Sequence, residues 1–430
     1  MNTPRLVVKP ILMCLLSGMM LASAYFAKAE VALTLAETIQ LATQGQPLLQ
    51  SLDDAAASSR EASIAEGQLP DPKIKFGVIN LPITTRDALR YNRDDQTMVN
   101  VGISQDVIPL KKRVLASSRM LAEADQFQTE QVATARTIER DVALAWLDVY
   151  EAQRKYELYQ RLIGDMAAER KILVANVSSG GAKTSDVLQM DTEVSMTNEK
   201  RIFAQRDERK ARAVLARWIG KAASRSISSA LPVMKSSLSN DANHSALEQH
   251  PLLRNAYQTE KVAQFNVDSA QANLERNWGW EVSYGKRFND RSDMLSFQVS
   301  IDLQLDRANR QDRRTAEKLV LVEKAHKLTE DKRRELSAEL ENAMADAEAA
   351  KARENEHITK LIPNVQAKLS IAQAGYASGK ESIGDVWQAR RDVIDIELEH
   401  WAILTDKQRA AVNIDYLTNN TRFFKHTDKE

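Results

Sequence analysis

The chain has 430 residues, a length that ordinarily divides into two or three domains. Charged residues make up 27% and aromatics 6%, with only 14 Gly and 10 Pro, which is the composition of long helices and argues against an all-β or doubly wound fold. The 59 Lys and Arg balance the 59 Asp and Glu, so the charge implies no bulk attraction to nucleic acid.

Residues 1–29 read as a secretory signal peptide. Arg5 and Lys9 supply a positive start, residues 11–26 are apolar or small, and Ala27-Lys28-Ala29 is an A-x-A cleavage site, so the expected mature chain begins at Glu30. It would carry 56 basic and 59 acidic residues, a net charge of −3. An uncleaved anchor is disfavoured because the apolar run is shorter than the ~20 residues of a membrane-spanning helix. Cys14 is the single cysteine; Ile11-Leu12-Met13 before it lacks the small residues of a lipid-attachment site. The mature chain therefore has no disulfide and no thiolate metal site.

After a first helical stretch come two segments of strict alternation. In 73–81, Ile74, Phe76 and Val78 alternate with Lys73, Lys75 and Gly77; in 98–107, Val99, Val101, Ile103 and Val107 alternate with Asn100, Gly102, Ser104 and Asp106. The period of 2 predicts strands with one apolar and one polar face. Residues 111–177 then contain no Pro and one Gly, Gly164, and would make a helix about 100 Å long at ~1.5 Å per residue. Ile138, Val142, Ala145, Val149, Ala152, Tyr156, Tyr159, Ile163, Met166, Leu173 and Val177 recur at three- and four-residue steps, a coiled-coil seam broken at Arg170. Gly180-Gly181 turns the chain into a second helix. Residues 221–245, rich in Ser and Ala, read as a linker between a first repeat (30–220) and a second (246–420), with 421–430 as a tail.

The second half has the same order. Residues 280–288 and 295–305 alternate again, with Trp280, Val282, Tyr284 and Phe288 in one and Leu295, Phe297, Val299, Ile301, Leu303 and Leu305 in the other. Each predicted strand has about 9–11 residues, the length of a tilted membrane-spanning strand. Leu336, Leu340, Ala343, Ala347 and Ala350 form another seam. It is interrupted at Glu354 and His357 and resumes at Leu361, Val365, Ala372 and Tyr376, and Pro363 should kink the helix or open its ladder. Gly379 makes the turn. The halves align at an offset of 199: Ala175-Asn-Val-Ser-Ser-Gly180 on Ala374-Gly-Tyr-Ala-Ser-Gly379, and Asp186-Val-Leu-Gln189 on Asp385-Val-Trp-Gln388. Alone, the strands would suit a soluble sheet packed on helices. In an exported chain with very long coiled coils they suit a shared barrel, because four strands cannot close one and lipid does not tolerate open edges.

This pattern resembles the TolC family of outer-membrane efflux channels over nearly the whole mature chain, most specifically in the paired turns Gly180 to Gln189 and Gly379 to Gln388. The resemblance implies a mainly α fold with a small β part. Three protomers would each give four strands to a twelve-stranded barrel above a periplasmic helical tunnel. It implies a homotrimer in outer-membrane lipid that meets a periplasmic adaptor protein and an inner-membrane RND-type pump. Leu69-Pro70-Asp71-Pro72, Asn80-Leu81-Pro82 and Gln105-Asp-Val-Ile-Pro109 running into Lys111-Lys112-Arg113 resemble the heavy-metal-efflux branch, although Lys111 stands where many members have Gly.

No catalytic constellation or cofactor site is visible, and the six His have no metal-ligand spacing. The candidate site is the periplasmic aperture. Asp385, repeated three-fold, would form an acidic ring that concentrates cations. Gln388 matches the second acidic position of the family's best-known channel, and Asp186 is the first-repeat counterpart of Asp385. A first-turn Asp also serves the helix dipole, so a purely structural role stays open for both. Ser179, Gly180, Ser378 and Gly379 sit where the resemblance places tip-to-tip adaptor contact, and Gly also serves a tight turn by itself. The alternatives are a multidrug or type I protein secretion channel, or a periplasmic coiled-coil adaptor or structural protein.

Overall fold

The computed structural model describes residues 32–232 and 245–418. The expected signal peptide, Cys14, the C-terminal tail and the middle of the 221–245 linker lie outside the described residues.

The first long helix dominates the molecule. Helices α1 (Leu35–Thr43) and α2 (Pro47–Glu66) lead into strands β1 (Lys73–Ile79) and β2 (Met98–Val107), and α3 (Leu110–Ser178) follows as one unbroken helix of 69 residues. It returns through Gly180 into α4 (Thr184–Ile219). The second repeat has α5 (Pro251–Ala272), β3 (Trp278–Lys286), β4 (Met294–Ile301), α6 (Gln311–Glu356), a π-turn at His357–Leu361, α7 (Ile362–Ala377) and α8 (Ile383–Leu417). At 36 and 35 residues, α4 and α8 are about half the length of α3 and run back along only its lower half. The upper half is covered by α2 and by α5, which lies between α3 and α6. Thr129 Oγ1 with Asn255 Oδ1 (3.0 Å) and Gln258 Nε2 on the Ala122 carbonyl (3.1 Å) fix α5 on α3.

Of the seam that the α3 sequence predicts, Ile138, Val142, Ala145, Val149, Tyr159, Met166 and Leu173 are buried, while Ala152, Tyr156, Ile163 and Val177 are only half-buried. Midway along, Val142, Trp146, Leu147 and Leu215 form a core with Leu33 and Ile227, whose segments pair in a parallel bridge, and Trp146 Nε1 donates to the Leu33 carbonyl (3.1 Å). A second core joins Leu253, Leu336, Leu340, Ile414 and Leu417. Between them the buried Arg136 guanidinium donates to the carbonyl (2.8 Å) and carboxylate (3.1 Å) of Asp415, so the end of α8 is tied to α3 by a paired charge.

The four strands make one antiparallel sheet in the order β1-β2-β3-β4, with β1 and β4 as unpaired edges. Register puts Phe76, Val101, Tyr284 and Leu295 in one row and Ile74, Ile103, Val282 and Phe297 in the next, so the apolar residues share one face. That face is bare: Phe76 is 86% exposed and Phe297 75%. The opposite face carries Asn100, Gly102, Ser104, Ser283 and Ser296, with Lys73 paired to Asp106 (2.7 Å) and Lys75 to Glu281 (2.5 Å). β3 and β4 start slightly earlier than their alternation suggests, and Leu303 and Leu305 fall beyond β4. The chain at Pro363 opens into a π-turn, with the Ile362 N–H donating to the His357 carbonyl five residues back. Pro363 has no N–H to give, and its ring crowds the carbonyl four residues earlier, so a wider turn relieves the clash. The interruption at His357 is not a solvated gap: the side chain is 3% exposed.

Candidate aperture and hairpin tips

The two hairpins end in the same turn. At the first, Gly180 (φ +80°) donates to the Val177 carbonyl (3.1 Å) and Gly181 to Asn176 (2.8 Å); at the second, Gly379 (φ +74°) donates to Tyr376 (3.0 Å) and Lys380 to Gly375 (2.9 Å). This pair of reversed bonds closes a helix C-terminus and requires a left-handed residue, which Gly supplies without strain. A Cβ on either Gly would meet nothing within 4 Å, so backbone conformation alone selects Gly there. Ser179 Oγ donates to the Asn176 carbonyl and Ser378 Oγ to Gly375, each at 3.0 Å. All four tip residues are exposed at the extreme end of the helical part.

Asp186 and Asp385 open the returning helices at equivalent positions. Asp186 Oδ2 accepts from the Lys183 N–H (3.1 Å). Asp385 Oδ2 accepts from both the Ser382 hydroxyl (2.7 Å) and its N–H (2.9 Å), while the Asp385 N–H donates to Ser382 Oγ (3.3 Å), a reciprocal capping box. The Ser382 hydroxyl and N–H hold the Asp385 carboxyl below the usual carboxylate range. Both acids therefore cap their helices, yet Asp385 remains exposed beside an open groove lined by Asn364, Lys368, Ile371, Glu381 and Gln388. Gln388 links inward, donating to Asp392 Oδ1 (3.0 Å) and accepting from Arg391 Nη2 (2.6 Å), and Asp392 in turn holds Lys368 of α7 (2.6 Å). Asp186 lies on the other hairpin and shares none of these bonds.

The residues that join the hairpins do not stand out in the sequence. Trp387 is buried among Met166, Leu173 and Met190 of the first hairpin. Arg390 sits 5.0 Å above its ring and binds Glu169 of α3 at 2.6 Å, and Arg391 pairs with Glu193 of α4. A Cβ on Gly384 would lie 2.9 Å from Gln189 Nε2, so the missing side chain lets the hairpins approach closely. A partial signal is there: Trp387 fills the variable place of the repeated Asp-Val-x-Gln motif, where the first repeat has Leu188. Among the described residues no group of three or more His, Cys, Asp or Glu could hold a metal ion.

An open four-stranded sheet set on two coupled helical hairpins, each with a long arm of about 100 Å, defines a class. The chain has the fold of outer-membrane efflux channels: solved structures that match it include a membrane protein from Pseudomonas aeruginosa (TM-score 0.75, 15% identity, 89% of this chain and 90% of that one) and CusC (0.74, 14%, 91% and 93%). VceC of Vibrio cholerae, an outer membrane protein, matches with a TM-score of 0.70 and 16% identity over 89% of this chain and 94% of that one. The family model described as "Outer membrane efflux protein" matches residues 242–420, the second repeat. No curated protein matches the chain in sequence.

Proposed function

We propose that this protein is the outer-membrane exit duct of a tripartite efflux system, working as a homotrimer with a periplasmic adaptor and an inner-membrane pump of the RND type. The observation that carries the reading is the bare sheet. An apolar face with two open edges is unstable in water and forbidden in lipid, and both problems vanish when three copies close twelve strands into a barrel. Aromatics mark both ends of the sheet: Trp278 and Trp280 near the helices, and Tyr284, Phe288 and Tyr91 near the loops, with Tyr91 and Phe288 in edge contact at 5.1 Å. Trp278 to Lys286 spans about 26 Å of strand at ~3.3 Å per residue, or about 20 Å of height at a ~40° tilt, and Phe288 just past its end extends this toward the ~25 Å apolar band of such barrels. The polar face then lines the lumen, where Lys73–Asp106 and Lys75–Glu281 offset each other's charge.

At the periplasmic end, Asp385 would stand in a three-fold acidic ring with Gln388 just inside and Asp186 on the neighbouring hairpin. Ser179, Gly180, Ser378 and Gly379 would meet the adaptor. Heavy-metal cations are the proposed substrate class, on the motifs at residues 69–72, 80–82 and 105–113, and passage is passive. Single-channel recording tests the ring: Asp385→Ala should lower the cation-to-anion permeability ratio by up to about fivefold, the weight of ~1 kcal/mol from a carboxylate ~4 Å from an ion in water. An unchanged ratio sinks it. Growth of a deletion strain on copper, silver, zinc, cadmium and cobalt against bile salts and a cationic dye tests the substrate, and sensitivity to dyes and detergents alone removes the metal reading.

A further inference from the structure

The offset of 199 that superposes the two tips also places Gly164 of α3 on Pro363 and Leu158 on His357. The hairpins therefore differ at one matched level. In the first, the ladder is continuous, Gly164 faces open space and Leu158 is a buried apolar residue. In the second, the ladder widens into the π-turn, and an imidazole is buried where the first hairpin buries a leucine.

His357 faces a second imidazole. The ring of His400, on α8, lies 6.2 Å from it at an interplanar angle of 21°. The Nδ1 atoms of both rings are buried without a hydrogen-bond partner. The charged groups around the pair are largely committed elsewhere. On α6 and the π-turn, Arg353 holds Glu399 (3.1 Å), Lys407 of α8 holds Glu354 (2.5 Å), and Lys360 holds Glu356 (3.0 Å). On α8, Glu399 Oε1 lies 3.8 Å from His357 Nε2, Asp406 binds Arg409 (2.9 Å), and Glu397 adds a weak attraction for His400. From the first hairpin, Arg154 lies over Trp401 (5.7 Å), Tyr159 is near Asp395, and Lys200 reaches Asp395 at 4.0 Å. Burial, and next the neighbouring His357, pull the His400 imidazole below its usual range; Glu354 and Glu397 oppose this without reversing it. A histidine whose pKa is lowered in the folded chain stabilises it above the unfolded pKa near 6.5, and that contribution is lost as pH falls.

We propose that the His357–His400 pair at the π-turn is an acid-operated hinge: with His400 neutral the two stacked rings close the seam between α7 and α8, and a proton on His400 splays them. Within the protomer α7 packs chiefly on α8, so its closure depends on that seam. The π-turn has already broken the regular ladder at the pivot, and such turns are frequent at functional sites. Displacement of α7 reaches the aperture through Lys368, Asp392 and Gln388. This last step rests on the channel reading, because a tunnel wall outside the inner membrane experiences the acidity of the medium.

The test uses the full-length protein. Amide hydrogen exchange is compared between wild type, His400→Phe and His357→Gln at pH 7.5 and again at pH 5.0, so that intrinsic exchange rates cancel at each pH. The expected result is equal protection at pH 7.5 and, at pH 5.0, at least tenfold faster exchange in wild type across residues 354–365. Equal protection at both pH values overturns the hinge. Either variant that retains a heat-labile trimer suffices, so a failure of one to fold leaves the other to decide. In planar bilayers, conductance that rises on acidification in wild type alone supports the link to the aperture. A hinge that opens while conductance stays constant overturns that link. A protein with neither a heat-labile trimer nor any conductance removes the channel reading, while the exchange comparison still decides the hinge.

Discussion

The two hairpins share a turn and a capping acid but differ in how they are held. The first is a continuous helix pair, with α3 unbroken from Leu110 to Ser178 and Arg170 bound to Asp191 of its own partner helix. The second is broken at the π-turn, and its returning helix leans on the first through Trp387, Arg390–Glu169 and Arg391–Glu193. Internal duplication has thus yielded a self-supporting post and a jointed arm fastened to it. Such asymmetry suits an aperture: if both hairpins were equally rigid the tunnel end could not change width, and if both were jointed it could not hold shape.

Removing the fastening should give the largest effect. Trp387→Ala leaves a cavity among Met166, Leu173 and Met190 and removes the ring beneath Arg390. Loss of a buried aromatic costs about 3–5 kcal/mol. The expected outcome is selective protease cleavage near residues 378–390 with the barrel and the heat-labile trimer intact. The matched change in the first hairpin, Leu188→Ala, removes an exposed side chain and should leave cleavage unchanged. Equal sensitivity of the two hairpins in the Trp387 variant would mean that they are not held differently.

Much of this fold is legible in the sequence, for identifiable physical reasons. A period of 2 survives any environment, because side chains alternate across a strand whatever they face, so alternation places all four strands to within a few residues. The α3 seam is legible because only Arg170 interrupts the helical period along it. The second seam is obscured at His357 for the converse reason. His357 keeps the inward phase of Leu336, Leu340, Ala343 and Ala350, but a polar side chain there reads as a break in the apolar stripe, and the π-turn that starts at it rotates only the helix that follows, by about 100°. Trp387 escapes notice because periodicity shows that a residue lies on an apolar stripe but not which neighbour the stripe meets. Asp385 and Asp186 stand at helix starts as their motifs suggest, and the structure adds that both make capping bonds, so a cap and an aperture ring can be the same carboxylate.

The tips test the shared part of the comparison. Gly180 and Gly379 both need a left-handed backbone and both point into open space. Replacement by Ala should therefore cost the same at each, about 1–2 kcal/mol of turn stability, with no steric component. Local exchange at residues 175–183 and 374–382 measures it. A larger loss at one tip than the other would reveal a constraint that the turn geometry does not contain.

The smallest expected effect separates the tips again. Ser382 completes a reciprocal cap with Asp385 through its side chain, whereas Lys183, at the equivalent place, offers Asp186 only its backbone N–H and carbonyl. Ser382→Ala should cost about 1 kcal/mol, and Lys183→Ser should gain a similar amount by creating the missing hydroxyl acceptor for the Asp186 N–H. The same swap carries an electrostatic consequence. The Ser382 hydroxyl helps hold the Asp385 carboxyl below its usual range, so Ser382→Ala should raise the pH at which that carboxyl takes up a proton. If Asp385 is the acidic ring, cation selectivity should then fade at a less acidic pH in the Ser382 variant while remaining unaltered near neutrality, where the carboxylate is ionised in either case. A selectivity curve that does not move with Ser382 would leave Asp385 as a helix cap and assign the charge at the aperture to another residue.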